Sequence, residues 1–410
     1  MDREIFERLN TPEGQRLLAR AGDGYADRSA DPLALASRLR KEHAPDLVAA
    51  ALTQARLRHA AVAKFGADAE VMFFTAEGLE QATTRPVAEH RAARLAAAVP
   101  PGAAAVDLGC GLGGDLIALA RAGLSVTGVE RDPLTTELAR ANLRALGLDG
   151  RVEQADATEV ARDRFAAVLA DPARRDTSGR VFDPDAYSPP WWFVRRLLAD
   201  PTAATCVKTA PIIDHDRIEP GVTAEWVSLD GEVKEAALWS GPGLADSRSA
   251  RTATVLRHGR AAATLGTSDD PGEADVLEPT PQRPPGYLYE PDSAVIRAGL
   301  VTAVAPLIEG SLIHPRIAYL VSEELVPTPF ARAYRIEQVL PYGQNHQKRL
   351  RRRLAELGVG RLTVKKRGLE LDPEQVRKRL VSNGPNAATL ILTRTATSAV
   401  ALITRPVESG

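Results

Sequence analysis

Cysteine is scarce in this sequence, and so are the features that mark secreted and membrane proteins. The 410 residues include two cysteines, Cys110 and Cys206, which supply neither a disulfide framework nor a zinc site and are typical of a reducing compartment. The opening stretch "MDREIFERLN" is charged and lacks the apolar core of a signal peptide, and no uncharged apolar run is long enough to span a bilayer. The sequence therefore predicts a cytoplasmic protein with no metal and no membrane partner.

A charge imbalance is also lacking over the chain as a whole. The formal net charge is -1, and the hydrophobic and charged fractions of 44% and 26% are ordinary for a soluble globular protein. A chain of this length can form two or three domains with sizeable cores. Charge indicates the kind of partner only when it is counted separately for each segment of the chain.

The patterning changes several times along the chain. Residues 1–95 are rich in Ala, Leu, Arg and Glu and predict a helical domain, whereas short apolar runs alternate with helical patterns in residues 96–265. That alternation is typical of βαβ units and a parallel sheet. Residues 266–285 are rich in Pro and acids and predict a linker, and residues 286–410 predict a basic α+β domain.

Two hairpins are expected near the end of the second segment. In "EWVSLDGEVKEAALW", two strand-like runs flank Asp230 and Gly231, which is a strong signal for a tight turn. The stretch "TATVLRHGRAAATLG" has the same character. These hairpins would add antiparallel strands to the parallel sheet.

A glycine cluster gives the first chemical clue. "VDLGCGLGGD" places a strand and an acid before the helical run "LIALARAG", and Gly109, Gly111 and Gly114 satisfy the dinucleotide spacing G-x-G-x-x-G. Glycine lets the backbone turn tightly and approach a ligand at a helix N-terminus. A nicotinamide or flavin dinucleotide and S-adenosylmethionine both suit such a loop.

Acidic residues at successive strand ends favour S-adenosylmethionine. Asp107 can face the ammonium of a methionine group, whereas it would repel a pyrophosphate. Glu130 ends the next strand, where it can bind both ribose hydroxyls of either cofactor. Asp156 follows the third strand, where it can accept from an adenine amino group.

The stretch "AAVLADPARRDT" looks like a buried strand that stops at Asp171 and Pro172. Proline cannot donate to the ladder, so the strand should end there with a carboxylate and a carbonyl at its carboxyl end. In an open α/β sheet this edge is where ligands bind.

With these motifs in place, residues 85–265 resemble the class I S-adenosylmethionine-dependent methyltransferases. The resemblance implies an α/β fold with a doubly wound, Rossmann-like sheet closed by an antiparallel hairpin. It also implies that the cofactor is bound by Asp107, Gly109, Gly111, Gly113, Gly114, Glu130, Asp156 and Asp171.

A wider resemblance covers most of the chain. The segments "FFTAEGLEQAT", "DPARR", "EWVSLDGE" and "YLYEPDSAVIRAGL" are similar to bacterial methyltransferases that carry a C-terminal THUMP-like domain. By its strand-end motif, that group resembles RNA guanine-N2 methyltransferases.

Amino-group methyltransferases use an Asp/Asn-Pro-Pro-aromatic turn to hold the amine and stack on the base. Asp171 and Pro172 match this turn, whereas Ala173 and Arg174 replace its second proline and its aromatic residue. A guanidinium plane can also stack on a base, so Asp171, Pro172 and Arg174 are the expected catalytic residues. Trp191 and Trp192 in "SPPWW" are alternative stacking platforms or simply packing residues.

Pyrimidine C5 methylation is a second chemistry, because it needs a cysteine nucleophile near the end of the fifth strand. Cys206 in "ATCVKTAP" is near that position, but the strand continues past it and the turn expected after a nucleophile is missing. A buried, inert cysteine is the favoured interpretation.

Positive charge is concentrated near the C-terminus. Residues 331–380 contain 14 Lys and Arg against 5 Asp and Glu, which predicts phosphate contact. We expect Arg351, Arg352, Lys365 and Lys366 to bind RNA, with tRNA or rRNA as the partner. A solvated, salt-bridged surface is the alternative.

The sequence thus predicts an RNA methyltransferase that acts on an exocyclic base nitrogen, with guanine the leading target. The alternatives that remain are C5 methylation through Cys206, a small-molecule or protein methyltransferase, an RNA-binding protein without turnover, and a dinucleotide-dependent oxidoreductase.

Overall fold

The computed structural model describes residues 2–26, 31–172, 175–176, 179–180, 188–244, 249–258, 261–381 and 383–407. The chain divides into two compact units. The first is formed by Met1–Thr223 and Ala236–Asp246, and the second by Ala224–Glu235 and Ser247–Gly410. The predicted boundaries at residues 95, 265 and 285 define a finer division, which stays a prediction.

Helices make up the regular structure of the described N-terminal residues. They are α1 (Arg3–Leu9), α2 (Pro12–Ala26), α3 (Pro32–Leu39), α4 (Pro45–Phe65), a 3-10 turn (Gly66–Glu70), α5 (Ala76–Gln81) and α6 (Arg85–Ala98). Local chemistry explains where several begin. The carboxylates of Asp2 and Asp31 accept from backbone N–H groups of α1 and α3, and a proline occupies the first turn of α3 and α4.

A parallel sheet with flanking helices follows. Its elements are β1 (Ala104–Leu108), α7 (Gly114–Arg121), β2 (Ser125–Glu130), α8 (Pro133–Ala145), β3 (Arg151–Gln154), a 3-10 turn (Ala157–Glu159), β4 (Ala167–Ala170), the short pair β5 (Arg175–Asp176) and β6 (Gly179–Arg180), α9 (Trp191–Leu198) and β7 (Ala204–Thr209). Strands β3, β2, β1, β4 and β7 pair in that order, all in parallel. The predicted βαβ units are confirmed.

The expected hairpins complete this sheet. After a 3-10 turn (His215–Arg217) come β8 (Thr223–Leu229), β9 (Glu232–Ser240), β10 (Arg251–Leu256) and β11 (Ala263–Gly266), and the full order is β11-β10-β8-β9-β7-β4-β1-β2-β3. Asp230 and Gly231 both have positive φ, 51° and 88°, as a type I′ turn between two strands requires. Strand β9 pairs antiparallel with β7, and β10 with β11. The predicted doubly wound sheet closed by a hairpin is therefore confirmed.

One hydrophobic core joins the N-terminal helices to the sheet of the first unit. It runs from Phe6 and Leu17 through Phe65 and Leu95 to Leu116 of α7. The helical segment is therefore packed against the strands that carry the cofactor loop. This packing brings residues of α5 and α6 close to that loop.

The rest of the chain builds a second sheet. Its elements are a 3-10 turn (Thr267–Asp269), β12 (Tyr287–Pro291), α10 (Ser293–Ala298), α11 (Val301–Val304), a 3-10 turn (Pro306–Ile308), β13 (Ser311–Leu312), β14 (Leu320–Ser322), β15 (Ala331–Pro341), a 3-10 turn (Gln344–His346), α12 (Gln347–Glu356), β16 (Val359–Lys366), α13 (Pro373–Leu380), β17 (Asn386–Arg394) and β18 (Ala399–Pro406). The strand order is β13-β14-β12-β15-β18-β17-β16. The predicted α+β fold of this region is confirmed.

Alternation along the strands gives this second sheet two cores. On β17, Leu390 and Leu392 join the cluster that contains Leu350 and Leu354 of α12, whereas Ile391 joins the cluster on the opposite face. The sheet also curves strongly. Lys365 on β16 forms an ion pair with Glu290 on β12, although three strands separate β16 from β12 in the sheet order.

Candidate active site

The glycine loop joins β1 to α7 and has the backbone geometry that its glycines predict. Gly109, Gly111 and Gly113 have φ of 83°, 53° and 88°, values that residues with a Cβ atom rarely adopt. Gly114 is the first residue of α7. Chain neighbours aside, a Cβ at Gly111 would meet no atom of the described residues within 4 Å, so the loop borders open space there, as a ligand cradle must.

Two of the predicted acids have defined partners at the strand ends. The carboxylate of Glu130 accepts from the backbone N–H of Gly111 at 3.1 Å and from that of Asp132 at 2.9 Å. Asp156 accepts from the backbone N–H and the hydroxyl of Thr158, at 2.8 and 2.6 Å. These Thr158 hydrogen bonds lower the pKa of Asp156, so both carboxyl groups are held in place beside the loop.

The third predicted acid is deeply buried. The Asp107 residue is 1% exposed, and its Oδ2 atom has no hydrogen-bond partner among the residues that the structure describes. Burial raises the pKa of Asp107 well above its usual value, and the charge of Asp115 adds to this effect. A buried carboxylate needs a cation or a donor, so Asp107 fits the ammonium of a methionine group.

A chain of buried charges lies behind the loop. Arg91 of α6 forms an ion pair with Asp115, the second residue of α7. The Lys208 ammonium, at the end of β7, contacts Asp115 Oδ2 at 3.2 Å and Thr83 Oγ1 at 2.8 Å. It also forms an ion pair with Asp171. The loop, the strand end and the N-terminal helices are thereby connected through one cation.

Asp115 differs from Asp107 because the protein supplies its cations. Burial acts to raise the pKa of Asp115, but the Arg91 guanidinium and the Lys208 ammonium outweigh it and lower that pKa to about 2. Asp115 is therefore a carboxylate at neutral pH.

The strand β4 ends at Ala170, as the Asp-Pro sequence predicts. The backbone N–H of Asp171 donates to Leu108 O at 3.2 Å. A Cβ at Gly109 would lie 3.3 Å from Asp171 O, so the strand end contacts the cofactor loop directly. Pro172 is buried and the Asp171 side chain is 35% exposed. Ala173 and Arg174 lie outside the described residues.

The two tryptophans differ in their exposure. Trp191 begins α9 and is 7% exposed, within the core, whereas Trp192 is 59% exposed. The ring of Trp192 meets Phe193 edge to face, with 6.0 Å between the centroids. Of the pair, Trp192 offers a ring face to solvent.

Both cysteines are buried. Cys206 is 0% exposed within β7 and belongs to the large core of the first unit. Cys110 lies against the backbone of Gly128, where an added Cβ would be 2.8 Å from its sulfur. Burial raises the pKa of the Cys110 thiol, and the nearby acids Asp107 and Glu130 add to this effect. Neither position suits a nucleophile.

The predicted RNA-binding residues do not form one patch. Arg351 and Arg352 are exposed on α12, opposite Leu350 and Leu354. Lys365 and Lys366 are adjacent on β16 and point to opposite faces of the sheet. Lys366 is exposed, whereas Lys365 is half-buried with its ammonium on Glu290.

Arg91, Asp115, Lys208 and Thr83 are site residues that the sequence reasoning missed. Lys208 carried the clearest signal, because it stands in "ATCVKTAP", a run whose apolar pattern predicts a strand of the parallel sheet. A buried lysine predicts acidic partners, although not which ones.

Metal centres and membrane spans are both absent from the part of the chain that the structure describes. No group of three or more His, Cys, Asp or Glu side chains there could hold a metal ion. Likewise, none of the helices in that part of the chain combines the length and apolar character needed to cross a membrane.

Comparisons with known proteins agree with this geometry. A family model for a methyltransferase domain matches residues 105–173, and a THUMP domain-like model matches residues 331–406. A domain of unknown function, DUF8688, matches residues 2–61. The crystal structure of a Porphyromonas gingivalis W83 protein described as a methyltransferase has a TM-score of 0.75 over 96% of this chain and 99% of that chain. At 23% identity, this likeness shows the fold.

Sequence relatives show the family. Two proteins from Mycobacterium tuberculosis, strains CDC 1551 / Oshkosh and ATCC 25618 / H37Rv, are described as uncharacterized S-adenosylmethionine-dependent methyltransferases. Each is 35% identical to this chain over 337 residues, which cover 81% of this chain and 87% of the relative. The predicted choice of S-adenosylmethionine over a dinucleotide is confirmed, and the chain belongs to the S-adenosylmethionine-dependent methyltransferases, with a C-terminal THUMP-like domain.

Proposed function

We propose that this methyltransferase modifies an exocyclic amino group of a base in RNA, with guanine as the leading target. One observation carries the proposal: a carboxylate, Asp171, stands at the end of β4 against the cofactor loop. A Cβ added at Gly109 would lie 3.3 Å from the backbone oxygen of Asp171. The glycine loop and the segment that follows β4 are therefore in close contact. An amine held by Asp171 would lie near whatever the glycine loop binds.

Three acids and the loop backbone are assigned to the cofactor. Asp107 would pair with its ammonium, Glu130 with the ribose hydroxyls, and Asp156 with the adenine amino group. The burial of Asp107, whose Oδ2 atom has no hydrogen-bond partner among the described residues, supports the first assignment. When bound, S-adenosylmethionine supplies a methyl group on a sulfonium, which the amine nitrogen takes by in-line displacement before losing a proton.

The chain's own contribution is alignment. The Asp171 carboxylate and the carbonyl of Pro172 would each accept an N–H of the amine, which directs its lone pair toward the loop and stabilises its developing positive charge. In such displacements, orientation and the exclusion of water outweigh the strength of a base. We assign stacking on the base to Trp192, because its ring is the exposed one. A role for Arg174 remains a prediction.

RNA is favoured as the substrate by the charge of the second unit. On α12, Lys348 and Arg349 are exposed along with Arg351 and Arg352, and all four lie away from the buried Leu350. Such a face suits phosphate contacts that do not depend on sequence. The THUMP domain-like match over residues 331–406 supports the same partner. The cytoplasmic location stays a prediction.

The C5 chemistry is not favoured, because it needs an accessible thiolate. Cys206 is 0% exposed in the middle of β7. No observation favours a small molecule or a protein as the acceptor.

Nucleoside mass spectrometry tests the proposal. Total RNA from a strain that lacks the gene is compared with RNA from its parent and from strains complemented with the wild type or with Asp171→Ala. We expect one N-methylated nucleoside, N2-methylguanosine first, to fall in the deletion strain, and only the wild type to restore it. An unchanged nucleoside profile would contradict an RNA substrate, and a missing C5-methylated pyrimidine would support the Cys206 alternative.

A further inference from the structure

Lys208 is a charged residue in a strand that is otherwise uncharged. All six residues of β7 are buried, and the strand lies between β4 and β9 in the middle of the sheet. The Lys208 side chain is 9% exposed. A buried ammonium is costly unless it is paired and hydrogen-bonded, so its partners indicate its role.

Those partners come from three separate parts of the first unit. The Lys208 ammonium contacts Asp171 after β4, Asp115 on α7 at 3.2 Å and Thr83 before α6 at 2.8 Å. An ammonium has three N–H donors and can serve all three of these acceptors. Asp115 follows the glycine loop directly and Asp171 is the proposed amine acceptor, so Lys208 bridges the cofactor loop and the acceptor site.

We propose that Lys208 is a positioning residue for methyl transfer, which holds the Asp171 carboxylate in place and directed toward the acceptor amine. The proposal rests on the proposed function of Asp171. Lys208 engages Oδ2 of Asp171, and we assign the other carboxylate oxygen to the amine.

The surrounding charges explain why a cation is needed here. Asp107 on β1 and Asp115 on α7 are two further carboxyl groups near Asp171, and their charges act on one another. Arg91 on α6 pairs with Asp115. If Lys208 were removed, Asp171 would face these acids without its own cation. Repulsion from them would then turn its carboxylate away from the acceptor amine.

The experiment compares Lys208→Met, Asp171→Ala and the double variant, with Lys41→Met as the matched control on an exposed lysine. Single-turnover transfer of tritiated methyl groups is measured on RNA from the deletion strain, and S-adenosylhomocysteine binding is measured by calorimetry. We expect Lys208→Met to lower the rate about 10²-fold, the scale of a lost positioned group, while its Kd for S-adenosylhomocysteine changes less than about threefold. Lys41→Met should match the wild type.

Two further readouts separate positioning from a merely structural role. Lys208→Arg, which retains the cation, should recover part of the rate that Lys208→Met loses. The double variant should be no slower than the slower single variant, since both changes act through one carboxylate.

The failures are distinguishable. A wild-type rate in Lys208→Met, or losses that simply add in the double variant, would overturn the role of Lys208 alone. A wild-type rate in Asp171→Ala would instead contradict the proposed function. Circular dichroism would show whether Lys208→Met folds. If it does not, Lys208→Gln replaces it, because glutamine removes the charge but keeps a polar side chain. The same expected and contradicting results then apply to Lys208→Gln.

Discussion

Asp107 and Asp115 are buried carboxyl groups that flank one glycine loop, and their pKa values are displaced in opposite directions. Burial raises the pKa of Asp107, with the charge of Asp115 adding to the shift. On Asp115, the effect of burial is outweighed by Arg91 and Lys208, and its pKa falls to about 2. The protein thus supplies Asp115 with direct ion pairs, whereas we propose that Asp107 pairs with the ammonium of the ligand.

Asp107→Asn should therefore raise the stability of the ligand-free protein and lower its affinity for the cofactor. A folded-state pKa above the unfolded value favours folding at low pH, and this contribution is lost as pH rises through the folded pKa. Thermal unfolding without ligand should show a higher Tm for Asp107→Asn than for the wild type, with a larger difference at pH 8 than at pH 5. Loss of a charged hydrogen bond, about 1.5–3 kcal/mol, should weaken S-adenosylmethionine binding roughly 10- to 100-fold.

Asp149→Asn, on an exposed aspartate, is the control for that experiment and should change neither quantity. An equal ligand-induced rise in Tm for Asp107→Asn and the wild type would refute the pairing of Asp107 with the ammonium.

Asp115→Asn should have the opposite effect on stability. Its lowered pKa means that the charged Asp115 stabilises the fold above the unfolded pKa, and that this contribution is lost as pH falls toward about 2. Removing the carboxylate deprives the buried Arg91 of this ion pair, at a cost of about 3–5 kcal/mol. Urea unfolding at pH 7 and pH 3 should show a large loss at pH 7 and a smaller one at pH 3. A loss of equal size at both values would contradict the assignment.

Glu130→Ala and Asp156→Ala should each weaken S-adenosylhomocysteine binding, about tenfold or more. Glu130 also loses its hydrogen bond from Gly111 N, so it should show the larger effect of the two. Calorimetry measures the affinities, with Glu89→Ala, on an exposed residue of α6, as the control. Equal affinity in all the variants, or tight binding of NAD to the wild type, would count against these positions.

Cys206→Ala should retain methyl transfer, whereas Asp171→Ala should lose about 10²-fold or more, a scale typical of a positioned catalytic group. Amine methylation needs no thiolate, and Cys206 is a core residue. Methyl transfer to RNA from the deletion strain provides the measurement. A folded, cofactor-binding Cys206→Ala protein without activity would reverse the choice between the two chemistries.

Exposed cations of the THUMP-like domain should bind RNA through phosphates. The triple variant Arg351→Gln, Arg352→Gln, Lys366→Gln should weaken binding almost uniformly across sequences. For each cation that truly binds a phosphate, its removal should flatten the slope of log affinity against log salt by about 0.7–0.9. Filter binding with nonspecific RNA at several salt concentrations measures both.

Two controls sharpen this test. Arg38→Gln, Arg40→Gln, Lys41→Gln removes three exposed cations of the N-terminal helices and should leave the slope unchanged. Lys365→Gln should contribute little to the slope, because Glu290 already neutralises that ammonium. An unchanged slope in the Arg351, Arg352 and Lys366 variant would remove the electrostatic argument for RNA.

The sequence by itself determined the sheet, its hairpins and the acids at the strand ends. Apolar runs set the parallel strands, and Asp230–Gly231 set a turn. The carboxyl ends of parallel strands meet at one edge, so Asp107, Glu130 and Asp171 had to gather at the cofactor loop. These features follow from local pattern and from the geometry of a parallel sheet.

Only the tertiary structure decided which charges pair. The acceptors of Lys208 lie 37, 93 and 125 residues away along the chain, and their meeting depends on how α6, α7 and β4 pack around β7. The opposite environments of Lys365 and Lys366 likewise depend on the curvature that brings Glu290 to β16. Charge pairing is a property of packing between distant elements, and a linear pattern shows that a buried lysine needs acids without showing which acids it will find.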